Sequence, residues 1–372
     1  MDDLTNWLIF SLISGITTEK LLAALAQHSS LQHLIDSSES SLKASGFNAH
    51  QIALIKKPDE EKIQSMLQWL SEANHYLLPI TDERYPHQLK TIDNPPKVLF
   101  ANGDLDYLYQ PQIAMVGSRS PSAAGKKIAE DFARHLSANG ITITSGLARG
   151  IDGASHRGAL QGIAGTVAVV ATGLDRVYPA EHRQLAHQIC EQGVIISEQP
   201  LGVAPHAGLF PLRNRIISGL SEGVLVVEAA IKSGTLITAR HAIEQNKEVF
   251  AIPGSIHNPA VKGCHALIKQ GAKLVESADD ILEELQILVK NNTSGDTTHE
   301  NPEKASKNTG AEPDPDYQKL LSCMGYDPMD IDSISECTGF SAANIASMLL
   351  ILELQGDIVT SNGFYTRLGK RD

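Results

Sequence analysis

Four short runs hold most of the residues able to grip a phosphate. They are Gly117-Ser118-Arg119-Ser120, Ser145-Gly146-Leu147-Ala148-Arg149-Gly150, Phe210-Pro211-Leu212-Arg213-Asn214-Arg215 and Lys232-Ser233-Gly234-Thr235. Glycines let backbone approach a ligand closely, and a turn that opens a helix presents unpaired N–H groups at the positive end of the helix dipole. Arginine adds a planar, two-pronged donor that matches phosphate. Each run also has a plain alternative, an ordinary strand-to-helix turn with a solvated cation. Phe210 beside two arginines is the pairing that single-stranded nucleic acid needs, a ring for a base and guanidiniums for phosphates. The alternative for Phe210 is a core anchor for its loop, and one of Arg213 and Arg215 has an alternative as a structural partner of Glu228 or Glu198. Asp152 is placed to cap the next helix, and His156, four residues on, reads as a buried structural histidine.

These residues sit at the ends of elements that repeat as strand, then helix. Apolar, β-branched runs occur at Ile113–Val116, Ile141–Ile143, Thr166–Val170, Val194–Ile196, Val224–Val227, Val249–Ile252 and Lys273–Val275. Helical stretches at Ala123–Ala138, Ala154–Gln161, Glu181–Glu191 and Leu236–Gln245 separate most of them. Continuous apolar strands alternating with helices predict an α/β fold, a doubly wound, mostly parallel Rossmann-like sheet buried on both faces. Ligands of such sheets sit outside the carboxyl ends of the strands, where all four runs fall. Catalytic motifs are scarce: there is no G-x-S-x-G elbow, no H-E-x-x-H, and no metal-ligand spacing among the 14 histidines. The expectation is a binding site with no cofactor and no metal.

The flanks differ from this middle. Residues 1–75 read as short helices, with Leu4, Trp7, Leu8 and Leu12 on one apolar face and Leu21, Leu22 and Leu25 on the next. The run from Leu42 to Ile52 is loosely like a helix-hairpin-helix, but with a single glycine, Gly46. A small helical (SAM/helix-hairpin-helix-like) domain is expected there. Residues 76–110 are punctuated by Pro79, Pro86, Pro95 and Pro96 and predict an irregular crossing with at most short strands, such as Val98–Phe100. The predicted core spans 76–290. Residues 291–316 contain no large apolar side chain and predict a flexible linker. Residues 317–372 predict three helices and a hairpin turned at Asn362-Gly363, a winged helix.

The net charge of −12 hides an uneven distribution. Residues 1–110 carry 8 Lys/Arg against 14 Asp/Glu, residues 111–288 carry 16 against 16, and residues 289–372 carry 7 against 13. The core is neutral with arginines in its turns, so local field rather than overall charge governs anion binding. Four cysteines without a C-x-x-C pair predict reduced thiols in a cytoplasmic protein. The apolar patch Trp7–Ile13 is too short for a membrane span.

At this point the runs resemble a known family, the DNA-processing protein A (DprA/Smf) family. The matching stretches are Val116–Ser120, Ser145–Gly153, Gly173–Pro179, Ser197–Pro200, Phe210–Leu220, Val226–Ala229, Lys232–Ala239 and Pro253-Gly254, in order across residues 113–275. The resemblance implies a non-enzymatic protein that binds and protects single-stranded DNA, dimerises through its core, and loads the RecA recombinase during natural transformation and homologous recombination. Carried over by motif, the DNA pocket takes Gly117, Ser118, Arg119, Ser145, Gly146, Arg149, Phe210, Arg213, Asn214, Arg215 and Lys232, with Ser233 and Gly234 of the anion nest beside them. Two positions depart from the family pattern: His182 stands where asparagine is usual, and the loop Leu201–Leu209 lacks lysine. The apolar residues Ile256, Val261, Leu267 and Ile268 are candidates for a dimer face or for packing into the sheet. In the winged helix, Ser341 to Gln355 contains no Lys or Arg, which predicts a protein contact rather than DNA reading. The competing reading is a nucleotide-binding enzyme of the nucleoside-monophosphate hydrolase type. Lys232-Ser233-Gly234-Thr235 lacks the leading Pro-Gly-Gly of that pattern, and the following helix lacks its acid.

Overall fold

The computed structural model describes residues 3–292, 315–324, 329–355, 357–361 and 364–367. It divides into two compact units, Met1–Ser120 with Ile128–Leu282, and Pro121–Lys127 with Glu283–Asp372. The first begins with six helices, α1 (Asp3–Leu12), α2 (Thr18–His28), α3 (Leu31–Asp36), α4 (Glu39–Ala44), α5 (Ala49–Lys56) and α6 (Glu60–Leu70). Their starts follow local chemistry: the side chains of Thr17, Ser30, Ser38, Asn48 and Asp59 each accept a backbone N–H of the first turn. Trp7, Leu8, Phe10, Leu21, Leu34 and Phe47 are buried in a core that continues into the sheet through Leu78, Leu99 and Phe100.

The sheet strands are β1 (His75–Pro79), β2 (Val98–Gly103), β3 (Gln112–Val116), β4 (Thr142–Ser145), β5 (Thr166–Val170), β6 (Gly193–Ser197), β7 (Gly223–Val226), β8 (Glu248–Ala251) and β9 (Lys273–Leu274). Their order is β1-β2-β6-β5-β4-β3-β7-β8-β9. All neighbours from β6 to β9 run parallel, while β2 lies antiparallel to both β6 and β1. Residues 76–110 are therefore more regular than their prolines suggest: β1 and β2 pair over five residues, His75↔Asn102 to Pro79↔Val98. Pro79 ends β1 and Pro86 precedes the helix His87–Lys90, where a missing N–H costs little, while Pro95 and Pro96 lie in the connection that leads into β2.

The connecting helices are α7 (His87–Lys90), α8 (Ala123–Ala138), α9 (Ile151–Ala159), α10 (Arg183–Glu191), α11 (Leu209–Leu220), α12 (Thr235–Glu244), α13 (Lys262–Lys269) and α14 (Asp279–Asn292). Alternate residues of one strand serve two cores. Val167 and Val169 face the cluster that holds Ile216, Ile217 and Leu220 of α11, while Ala168 and Val170 face Leu185, Ala186 and Ile189 of α10. That is why the strands read as unbroken apolar runs. Of the candidate dimer residues, Val261 and Leu267 are buried and Ile268 packs against the core, which leaves Ile256 exposed.

The second unit contains α15 (Pro315–Met324), α16 (Ile331–Thr338), α17 (Ala342–Gln355) and a hairpin of β10 (Ile358–Ser361) with β11 (Phe364–Arg367). Leu320, Met324, Ile334, Ile345, Leu349, Leu352 and Ile358 form its core. At its two ends the expected linker, 291–316, overlaps α14, which continues through Asn292, and α15, which starts at Pro315; residues 293–314 and the Asn362-Gly363 turn lie outside the described residues. The cysteine expectation needs correction: Cys323 and Cys337, 14 residues apart, form a disulfide between α15 and α16. Sequence spacing could not reveal a pairing made by two packed helices. Cys190 and Cys264 are free thiols, and burial pushes both up to about 11.

Candidate nucleic-acid interface

From β3 the chain moves to β4, β5 and β6 on one side, then returns to β7, β8 and β9 on the other. The loops after β3 and β7 therefore part in opposite directions, and a crevice is left at this switch point. A cleft of about 600 Å³ occupies it, with Gly117, Ser118 and Arg119 on one bank and Lys232, Ser233 and Gly234 on the other. The two turns are buttoned together: Ser118 N–H donates to the Glu228 carbonyl (2.7 Å), and Thr235 Oγ1 donates to the Gly117 carbonyl (3.0 Å). Gly117 cannot be replaced without a shift, because a Cβ there would stand 2.5 Å from Cγ1 of Ile151. Arg119 and Lys232 are exposed, and Asn214 of α11 closes the end of the cleft half-buried.

Arg213 forms the floor. It is buried, its Nη1 donates to the carbonyls of Gly146 (2.7 Å) and Val169, and its Nε has no partner. Gly146 is required by this approach, since a Cβ would lie 2.4 Å from Nη1. Burial brings the Arg213 guanidinium down to about 10 despite the attraction of Asp152, so it remains a cation at neutral pH. Asp152 is no helix cap. The helix starts at Ile151, earlier than the expected Ala154, which puts Asp152 in the first turn; its Oδ2 instead accepts the N–H groups of Gly146 (3.1 Å) and Ala148 (3.3 Å). Burial raises its carboxyl above the usual range, and Arg213 opposes that rise. His156 is structural as expected: its Nε2 accepts from Leu147 N–H at 3.3 Å and its Nδ1 meets Thr166 Oγ1 at 2.7 Å. Burial drives it down to about 3, so the ring is neutral. His182, at the position that departs from the family, donates from Nδ1 to the Leu147 carbonyl (3.0 Å) and braces the same loop.

Two expected site residues turn inward. Arg215 binds Glu198 with both terminal nitrogens (2.7 and 3.1 Å), and also donates to the carbonyls of Asn94 (3.0 Å) and Leu212 (2.7 Å). Its donors are committed to holding the loop, so of the two arginines only Arg213 borders the cleft. Ser145 is fully buried and gives its hydroxyl to the Met115 carbonyl at 2.6 Å. Both fall on the face of their element that turns into the core, a distinction that run-level spacing does not carry.

Phe210 is neither a core anchor nor an open platform. It is half-buried, with the Arg119 guanidinium 5.1 Å from its ring centre and the Tyr178 ring 5.9 Å away at 39°. Beyond it lies a second cleft of about 520 Å³, bordered by Gly146, Arg149, Thr172, Tyr178 and again Arg119 and Phe210. Arg149 pairs with Glu181 at 2.8 Å. Sequence reasoning placed Tyr178 in a matching stretch but not in the site. The available signal was an aromatic in the turn after a parallel strand, which becomes informative only once Phe210 is known to face it.

A doubly wound sheet with a phosphate-ready cleft at its switch point, and a winged helix in the same chain, defines a class of nucleotide- or nucleic-acid-binding proteins. The model of the family described as DNA recombination-mediator protein A matches residues 76–286, and that of the DprA winged helix domain matches residues 304–363. The chain belongs to the DNA recombination-mediator protein A family. Protein Smf of Escherichia coli (strain K12) is 43% identical over 88% of this chain and 86% of its own length. The structure of DNA processing protein A from Streptococcus pneumoniae is 39% identical, with a TM-score of 0.66 over 75% of this chain and 97% of that one. DNA processing protein A of Helicobacter pylori, solved for its single-stranded DNA binding mode, is 29% identical, with a TM-score of 0.53 over 57% of this chain and 96% of that one.

Proposed function

We propose that this recombination mediator grips single-stranded DNA at the switch-point cleft without acting on it chemically. The observation that carries the reading is the meeting of exposed Arg119 and Lys232, the Ser233-Gly234 turn at the start of α12 and the Phe210 ring around one crevice. The cations suit phosphate, and the ring suits a base, so a strand fits better than a free anion. Membership of a mediator family, with the likeness to a protein studied for single-strand binding, supports this partner. Following the family resemblance, we extend the proposal to protection of incoming strands and their delivery to RecA in the cytoplasm by a homodimer of the core. Among the described residues no helix is long and apolar enough to cross a membrane, which is compatible with that setting. The winged helix, with no cation along α17 and with Leu350 and Ile351 exposed, fits a protein contact.

Titration of the full chain with single- and double-stranded oligonucleotides at several salt concentrations tests the core of the proposal. Single strands are expected to bind more tightly, with log affinity falling linearly with log salt by about 0.7 for each phosphate engaged. Binding that prefers duplex, or that ignores salt, refutes it.

A further inference from the structure

The four cysteines fall into two pairs by position. Cys190 and Cys264 are half-buried and buried in the α/β unit, where burial holds their thiols in the protonated, unreactive form. Cys323 and Cys337 belong to the winged helix, the first half-buried and the second exposed. Each sits in the last turn of its helix, α15 and α16, with 6.1 Å between their Cα atoms, a separation that a disulfide spans without moving backbone. A solvent-facing disulfide is open to attack by small thiols, and in the reducing compartment proposed above such a bond persists only while an oxidant is present. Lys319 precedes Cys323 by one turn on α15 and holds its ammonium 4.9 Å from the centre of the Phe340 ring, just beyond the end of α16. That places a cation on the face of the helix that carries Cys323, where it stabilises a thiolate.

We propose that Cys323 and Cys337 are a reversible redox-modification site that locks α15 onto the rest of the winged helix. In the oxidising direction, the exposed Cys337 thiolate attacks one sulfur of a small-molecule disulfide and expels a thiol. Cys323 then attacks the Sγ of Cys337, forms the protein disulfide and expels the second thiol. Two protein thiols are thereby oxidised, and the small disulfide is reduced to its two thiols. In the reverse direction a small thiol attacks Cys337, and Cys323 leaves as a thiolate on the face that carries Lys319. The lock matters because α15 is lightly held. Among the described residues Leu320 and Met324 are the side chains it buries fully, and Arg367 Nη1 ties it to β11 by donating to the Leu321 carbonyl at 2.8 Å. A unit this small draws little stability from its core alone, so a cross-link between cysteines 14 residues apart decides how often α15 lifts away from the core it shares with Ile334 and Ile345. The switch depends on the cytoplasmic setting proposed above and is independent of what the cleft binds.

The test incubates the full chain with oxidised or with reduced glutathione, blocks free thiols with iodoacetamide, and maps Cys323 and Cys337 by peptide mass spectrometry. Trypsin cleavage at Lys319 of α15, timed on native protein from both incubations, reports how firmly the helix is docked. Oxidised glutathione is expected to join the two cysteines and reduced glutathione to free them, with Cys190 and Cys264 unmodified by glutathione in both. Cleavage at Lys319 should be about tenfold or more slower in the oxidised protein, since a cross-link of this span suppresses opening by at least that factor and cleavage follows the open population. Cys337→Ser, at an exposed position that takes a hydroxyl without loss of packing, should be cut at the rate of reduced wild type in both incubations. Cysteines that stay apart in oxidised glutathione, a disulfide that resists reduced glutathione, or equal cleavage in the two states each overturns the switch. So does a redox difference that survives in Cys337→Ser. Failure of wild type to bind single strands leaves these readouts untouched and removes only the reading of the cleft.

Discussion

The switch-point cleft and the winged helix are both built on folds that hold nucleic acid elsewhere, and in this chain they are furnished in opposite ways. The cleft collects Arg119, Lys232, Arg213 and two glycine turns in a segment of neutral charge. The winged helix presents Ser341, Asn344 and Ser347 at the start of and along α17, followed by exposed Leu350 and Ile351, in a segment, residues 317–372, with 4 cations against 7 acids. A fold supplies places for side chains, and the side chains decide what binds. The proposed grip on a polyanion therefore belongs to the cleft, where exposed cations converge, while α17 offers aliphatic surface instead.

Three measurements sharpen or break this contrast. The largest effect is expected from replacing both Arg119 and Lys232 with alanine, which should weaken single-strand binding about 10- to 100-fold and make the salt dependence shallower by about 1.4 in log–log slope, two phosphates' worth. The matched triple change Ser341→Ala, Asn344→Ala and Ser347→Ala in the winged helix should shift affinity less than about twofold. Equal losses in the two variants would erase the distinction.

A second variant separates grip from support within the cleft. Arg215→Ala should cost about 3 kcal/mol of stability in urea unfolding, because it abandons a nearly buried ion pair and two carbonyls. Arg215→Lys should recover little of this, since an ammonium cannot reproduce the two-pronged contact with Glu198. A large loss of DNA affinity with unchanged stability would instead place Arg215 on the strand.

The smallest effect at any one step is in pH dependence, read as a change per pH unit. His156 has its folded pKa lowered to about 3 from an ordinary value of 6.5. Between those values the unfolded chain binds a proton that the folded chain refuses, so its contribution to stability falls as pH drops from 6.5 toward 3. The slope for one such proton is at most about 1.4 kcal/mol per pH unit. His156→Gln should flatten this part of the profile in the first unit. The winged helix has no histidine in its sequence and should not show the dependence.

Much of the layout was legible because parallel strands buried on both faces leave a strong trace. β5 and α8 were read to the residue, and the other core strands to within about two residues. The pairing of β1 with β2 was not legible, because prolines at the ends of elements look the same as prolines in a loop. The four glycine-bearing runs were recognisable from residue type, and the structure brings residues of all four to the two clefts. Which side chains face outward was not recognisable: Ser145 and Arg215 share their runs with cleft residues yet point into the core.

By itself the sequence determined the alternation of strand and helix, the neutral core between acidic flanks, and the stock of glycines, cations and aromatics at the strand ends. These depend on periodicity and composition, which are local properties. Only the tertiary structure decided that the loops after β3 and β7 part at a switch point, that Arg213 lines the floor while Arg215 is spent on Glu198, and that Tyr178 meets Phe210. Each of these joins residues tens of positions apart, and such meetings are set by strand order and side-chain direction, which no local pattern records.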